Sequence, residues 1–258
     1  MKLKSFRPGT ASSMIPLARA STVDLIATEL RAAIFSGALP VGTALREVEI
    51  SSQLGVSRSP FREAAQRLVQ EGLLTAVPGR GLRVTVISAD QVADLYVERL
   101  AVEAQAVRAL VREPSPDAHA QQLASIEAAF GELERASARG EAWEIGDADL
   151  AFHQTLVDAA RSPRLSKAIV RLATETRIAS LSATEGYSVR RSISPTYRAL
   201  IAALQVRDEA RAIAELEQQF DGAVRRLRGE DDSVDTVETE TGDEPQEFEP
   251  LPIDGLEA

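Results

Sequence analysis

The chain contains no cysteine, so disulfides and thiolate chemistry are excluded, and a reducing cytoplasm is the compatible setting. Histidine occurs only at positions 119 and 153, and tryptophan only at 143. No apolar run approaches the ~20 residues that a membrane span needs. Met1 to Ala20 carries Lys2, Lys4, Arg7 and Arg19 without a continuous apolar stretch, so it reads as a weakly basic arm rather than a leader peptide. No glycine-rich phosphate loop and no activated nucleophile stand out, which weighs against phosphoryl-transfer and covalent catalysis.

What is present is a globular composition, 44% apolar, with a formal net charge of −10 that hides an uneven distribution. From Glu230 onward there are 12 acidic and no basic residues. The remainder holds 29 basic against 27 acidic residues. Residues 1–87 carry 11 basic and 6 acidic side chains, whereas residues 88–228 carry 18 and 21. The positive charge is therefore concentrated in the first third, as contact with nucleic acid requires.

That third holds a compact set of signals. Ser21 or Thr22 opens a helix with Val23, Ile26, Ala27, Leu30 and Ile34 on one face. The turn from Gly37 to Gly42 ends it, and a second helix is expected over about 47–54. Gly55-Val56 then turns the chain into a third helix whose Phe61, Ala64, Ala65, Leu68 and Val69 form an apolar stripe. Ser59 is expected to cap this helix, Pro60 to occupy its first position and Gly72 to mark its exit. Arg58, Arg62 and Gln66 lie off the stripe, one turn apart, as in a helix that reads the DNA major groove, although a solvated basic face would look the same. Leu73 to Val77 and Leu82 to Ile87 read as two strands around Pro78-Gly79-Arg80-Gly81, with arginine at the tip. Three helices and a hairpin make a winged helix-turn-helix over 21–87.

From about 88 to 228 the pattern is helical throughout, with breaks at Pro114-Ser115-Pro116, Gly140, Ser162-Pro163, Gly186 to Ser194 and near Arg207-Asp208. Six helices are expected, over 90–112, 117–138, 141–160, 164–183, 195–206 and 208–228. They form an all-α bundle large enough to enclose a pocket. The fold class is therefore mainly α. Residues 229–258 are acidic, with Pro245, Pro250 and Pro252 and few large apolar groups, and are expected to be a disordered tail.

In the bundle, Asp149 and His153 are four apart and project from one helical face. They could begin a metal site, act as an acid–base pair, or form a satisfied core pair. Arg99 has Glu103 as its i+4 neighbour, so a buried ion pair is one reading of it. Trp143 is expected in the core, and His119 on a solvated face.

The turn Gly37-x-Leu39-x-x-Gly42 and the run from Leu54-Gly55-Val56-Ser57-Arg58-Ser59-Pro60-Phe61-Arg62-Glu63 to Ala64 recur in order with Arg67-Leu68, Glu71-Gly72-Leu73 and Arg80-Gly81-x-x-Val84. In this the chain resembles the GntR family of bacterial transcription regulators. The bundle, through Arg99-x-x-x-Glu103, Asp149-x-x-Phe152-His153, Tyr197-Arg198-Ala199-Leu200 and Asp208-x-x-x-Ala212, resembles the effector domain called FCD of its FadR-like subgroup. The resemblance implies DNA contacts at Ser57, Arg58, Arg62 and Gly79. Ser59, Gln66 and Arg80 join the expected DNA-facing set. Val48 stands where relatives often carry arginine, and Arg46 is the substitute for a phosphate contact. The resemblance also implies a cavity faced by Arg99, whose guanidinium would hold an effector carboxylate. Many relatives complete a metal site with two histidines, at positions that fall here on Tyr197 and Gln219. A metal-free pocket of Arg99, Asp149, His153, Tyr197 and Gln219 is therefore expected, with no cofactor; a metal on Asp149 and His153 would be weakly held. The whole implies a cytoplasmic homodimeric regulator, more often a repressor than an activator, binding a palindromic double-stranded operator and answering to a small organic acid.

Overall fold

The computed structural model describes residues 21–183, 188–190, 195–230 and 236–238. Helix α1 spans Thr22–Phe35, where Ser21 and Asp24 exchange side-chain and backbone hydrogen bonds in a capping box. Strand β1 is Ala44–Leu45, α2 is Glu47–Gln53 and α3 is Arg58–Gln70. Strands β2 (Leu74–Val77) and β3 (Gly81–Val84) form the hairpin. The short β1, which has no alternation to announce it, adds to β3 and makes a three-stranded antiparallel sheet in the order β1-β3-β2.

Helix α3 begins two residues before the expected first helical position. Ser57 is the N-cap and Pro60 is the third helical residue. The first four amide N–H groups of a helix have no intrahelical partner, so proline is tolerated there and does not fix the boundary. The exit is as expected, with Gly72 beyond the C-cap at φ +82°, where side chains are strained. Strand β3 stops at Val84, leaving Thr85–Ile87 to lead out of the sheet.

Helices α4 (Ala89–Val111), α5 (Pro116–Arg139), α6 (Ala142–Ala159), α7 (Pro163–Ser182), α8 (Pro195–Gln205) and α9 (Glu209–Leu227) follow, within two residues of the expected bounds. Their cores, including Val107, Ile126, Phe152, Leu156, Leu172, Leu200 and Leu216, are buried together. Strands β4 (Ser188–Arg190) and β5 (Thr236–Glu238) pair antiparallel, so a short stretch of the segment expected to be disordered is described as strand. The expected N-terminal arm at 1–20, and residues 231–235 and 239–258 of the expected tail, lie outside the described residues.

His119 is not on a solvated face. It is buried, with Nδ1 3.1 Å from the Leu110 carbonyl oxygen and Nε2 3.2 Å from that of Leu204. These carbonyls lie near the ends of α4 and α8, where acceptors outnumber intrahelical donors. Trp143 is half-buried, with the Arg177 guanidinium 5.2 Å over its ring.

The two cores meet on α7. Its Ile169 and Leu172 belong to the bundle, while Ile178 is fully buried in the winged domain among residues such as Leu30, Phe61 and Leu68. The Ile87 amide donates to Ser182 Oγ at 3.2 Å, and the Arg177 guanidinium lies 4.9 Å over the Phe35 ring. Ile178→Ala is expected to cost about 2–5 kcal/mol, the usual range for a large-to-small core change. Urea unfolding followed by amide exchange should show the loss in the winged domain. Stability unchanged within error would show that the domains do not share this core.

Candidate functional site

On the winged domain, the apolar stripe of α3 fixes which side chains remain outside. Phe61, Ala64, Ala65 and Leu68 are buried, and Arg58, Arg62 and Gln66 are exposed. Arg46, Ser57, Ser59, Gly79 and Arg80 are exposed as well, so all eight expected DNA-facing residues are accessible. Arg46 is the N-cap of α2 and pairs with Glu49 at 3.0 Å. Gly79 sits at the hairpin tip with φ +71° and open space around it, so a side chain there would strain the turn without a clash. Arg58 and Arg62 are not isolated cations. Both meet the Glu47 carboxylate, through Nε at 2.6 and 2.9 Å. Hydrogen bonds from Arg58 first, then Arg62, hold the Glu47 carboxyl below the usual carboxylate range.

In the bundle a chain of polar contacts runs through the core. Arg99, 1% exposed, donates from Nε and Nη2 to Glu103 Oε1 at 3.1 and 3.0 Å, and from Nη1 to Thr176 Oγ1 on α7 at 3.4 Å. Its guanidinium lies 5.0 Å from the centroid of Tyr96 and 4.7 Å from that of Phe220. Burial works against the Arg99 charge, but Glu103, Tyr96 and Asp149 together outweigh it and raise the arginine above its ordinary value. The other oxygen of Glu103 receives His153 Nδ1–H at 2.5 Å. His153 Nε2 lies 3.6 Å from Asp149 Oδ1. The Tyr197 hydroxyl donates to the same Asp149 oxygen. Burial, reinforced by Asp149, pushes the Tyr197 hydroxyl well above its usual range, so it remains a proton donor.

Four of the expected effector residues, Arg99, His153, Asp149 and Tyr197, are thus brought into one connected cluster. The fifth, Gln219, precedes Phe220, whose ring lies 5.5 Å from that of His153, but both side-chain amide atoms of Gln219 are buried without a hydrogen-bond partner. Sequence reasoning gave Glu103 as one partner of Arg99 and missed its second contact, fifty positions away. It also missed Thr176, and Arg226 on α9, whose Nε is buried without a partner and whose charge acts on the Tyr96 and Tyr197 hydroxyls. Arg226 lies seven residues, about two turns, after Gln219 on α9, which puts both on one face and could have singled it out.

Residues 22–84 match the model described as bacterial regulatory proteins, gntR family, and residues 94–222 match the FCD domain. The chain belongs to the GntR family. It is 30% identical over 209 residues to the Nta operon transcriptional regulator of Aminobacter aminovorans, covering 80% of this chain and 94% of that one. It is 28% identical over 219 residues to the gluconate operon transcriptional repressor of Bacillus subtilis, covering 80% and 84%. With the regulator YdhC of Bacillus subtilis it shares 33% identity over 138 residues, which span 53% of this chain and 60% of that relative. The crystal structure of a GntR regulator from Rhodococcus sp. RHA1 superposes with a TM-score of 0.66 at 25% identity, covering 80% of this chain and 97% of that one. Membership of this family of DNA-binding regulators sets aside the reading of Asp149 and His153 as an enzyme's acid–base pair.

A metal, which the FCD fold allows in some members, does not fit the donor set of this GntR chain. Among the described residues no group of three or more His, Cys, Asp or Glu is placed to hold one. His153 Nε2 and Asp149 supply one imidazole and one carboxylate, and the Asp149 carboxylate already accepts the Tyr197 proton. Tight sites use about three or four protein ligands. Elemental analysis of the purified chain should find no stoichiometric zinc, nickel or manganese. About one metal per chain, lost in His153→Ala, would contradict this.

Proposed function

We propose that this GntR-family chain is a ligand-responsive repressor that binds a short palindromic operator as a homodimer and takes a small organic acid in its FCD domain. The observation that carries the reading is the path from the buried cluster to the winged domain. Arg99 touches Thr176, and the next two residues of α7, Arg177 and Ile178, lie against Phe35 and inside the winged core. A ligand that rearranges the cluster would shift α7 between two positions and so bias how the winged domain is held.

The donors suit an acid. Arg99, the Tyr197 hydroxyl, the unpartnered amide of Gln219 and Arg226 can all face a carboxylate. Arg99 is already matched by Glu103, so a bound carboxylate would compete with that pair instead of meeting a bare cation. One surface feature supports the homodimer. Val97 on α4 and Val170 on α7 are 67% and 57% exposed, and they flank the ion pair between Glu98 and Arg171 that ties those helices together. Paired winged domains would also require two half-sites. Repression follows the named role of the gluconate operon relative. A cytoplasmic location follows from acting on DNA; among the described residues no helix is long and apolar enough to cross a membrane.

The test starts from an operator enriched by the wild-type chain out of random-sequence duplexes. Arg62→Ala should weaken its binding by about 1–3 kcal/mol with an unchanged melting temperature. A panel of carboxylic acids should include one that raises the melting temperature, and Arg99→Ala or His153→Ala should abolish or reduce that rise. Unaltered operator affinity in Arg62→Ala would refute the DNA-facing assignment. No stabilising acid across the panel would leave a constitutive DNA-binding protein whose bundle only dimerises.

A further inference from the structure

Helix α3 presents Arg58 and Arg62 one turn apart on its exposed side, 59% and 64% exposed. Like charges at this spacing repel, and exposed arginines spread over many rotamers. A base-reading arginine needs the opposite, a guanidinium held in one direction with a free donor edge. Glu47, the first residue of the neighbouring α2, supplies that constraint, with its side chain 26% exposed and one carboxylate oxygen facing both guanidinium groups. The contact is made through Nε on each arginine. No other hydrogen bond or ion pair holds either side chain among the described residues, so the Nη edges remain open.

We propose that Glu47 is a positioning residue for DNA recognition, holding Arg58 and Arg62 by Nε so that their Nη edges are presented together to the operator. The proposal rests on the winged domain being the DNA-binding unit. It gives a negatively charged residue a favourable part in binding a polyanion, which makes its sign unusual. A carboxylate that acts only as a charge opposes DNA, and removing it tightens binding to every duplex, because the positive charge available to phosphates rises. A carboxylate that orders the two arginines gives a split result: removing it tightens binding to arbitrary duplex and weakens binding to the operator.

The experiment compares wild type, Glu47→Gln and Glu47→Ala on two duplexes of equal length, the sequence enriched by the wild-type chain and a scrambled version. Affinity is measured across a series of salt concentrations, alongside melting temperature. The expected result is an operator-to-scrambled affinity ratio reduced by about tenfold or more in Glu47→Ala, within the worth of one to two bidentate base contacts. Glu47→Gln, which keeps an acceptor oxygen but loses its charge, should fall in between. Scrambled-duplex affinity should be equal to or above wild type in both variants. Equal tightening on both duplexes would overturn the proposal and leave Glu47 as a simple opposing charge. Equal weakening on both, with a lowered melting temperature, would overturn it in favour of a structural tie between α2 and α3. A wild-type chain that enriches no sequence would overturn the DNA-binding reading itself, and the role of Glu47 with it. Enrichment by wild type with an unchanged ratio in both variants would overturn the Glu47 role alone.

Discussion

A carboxylate with 0% exposure, Glu103, sits at the centre of the bundle with Arg99 on one oxygen and His153 on the other. A charge at that depth persists only when it is paired and hydrogen-bonded, because desolvation otherwise drives it neutral. The pairing has a geometric consequence. Arg99 and Glu103 are on α4 and His153 is on α6, so satisfying one carboxylate fixes the relation of these helices. Tyr96 and Phe220 flank the guanidinium and keep its faces dry. The remaining Arg99 nitrogen reaches Thr176, and α7 is thereby tied to the same network. A polar network of this kind is sensitive to its occupants, since any incoming acceptor for Arg99 competes with Glu103.

Helix α7 touches both the network and the winged core. Thr176 faces the network, and Ile178 two residues later fills the core of the winged domain. Packed cores are close to bistable, because side chains interdigitate too tightly to deform smoothly. A small displacement of α7 would therefore tend to be all or none at Ile178. The cluster and the recognition helix can in this way respond to each other without sharing a ligand contact. The same economy holds at the DNA-facing surface, where one carboxylate, Glu47, organises two arginines on the adjacent helix.

Much of this was legible in the residues alone. The apolar stripe of α3 and the glycine at its exit located the recognition helix, because burying Phe61 and Leu68 leaves Arg58 and Arg62 outside whatever the exact start. The start itself was placed two residues late, since proline is permitted at any of the first positions. Proline and glycine breaks delimited the six bundle helices. The spacing of Asp149 and His153 put them on one face, and Arg99 with Glu103 on another. Contacts between distant segments were not legible. Nothing in the pattern joins Glu103 to His153, Glu47 to Arg58, or Ile178 to a core a hundred residues earlier, because side-chain pairing across helices leaves no period. His119 was misplaced for a related reason: its partners are backbone carbonyls near helix ends, which any sequence supplies.

Coupling of the buried cluster to the DNA-binding face through α7 would be reciprocal, so it can be tested without knowing the effector. Amide hydrogen exchange would be measured on the whole chain with and without saturating operator duplex. On the proposed reading DNA meets the winged domain, so coupling requires altered exchange in the second half of α7, around Thr176 to Ser182, and in α4 around Arg99. Changes confined to residues 21–87, with α4 and α7 exchanging alike in both states, would show that the cluster and the DNA-binding face are uncoupled.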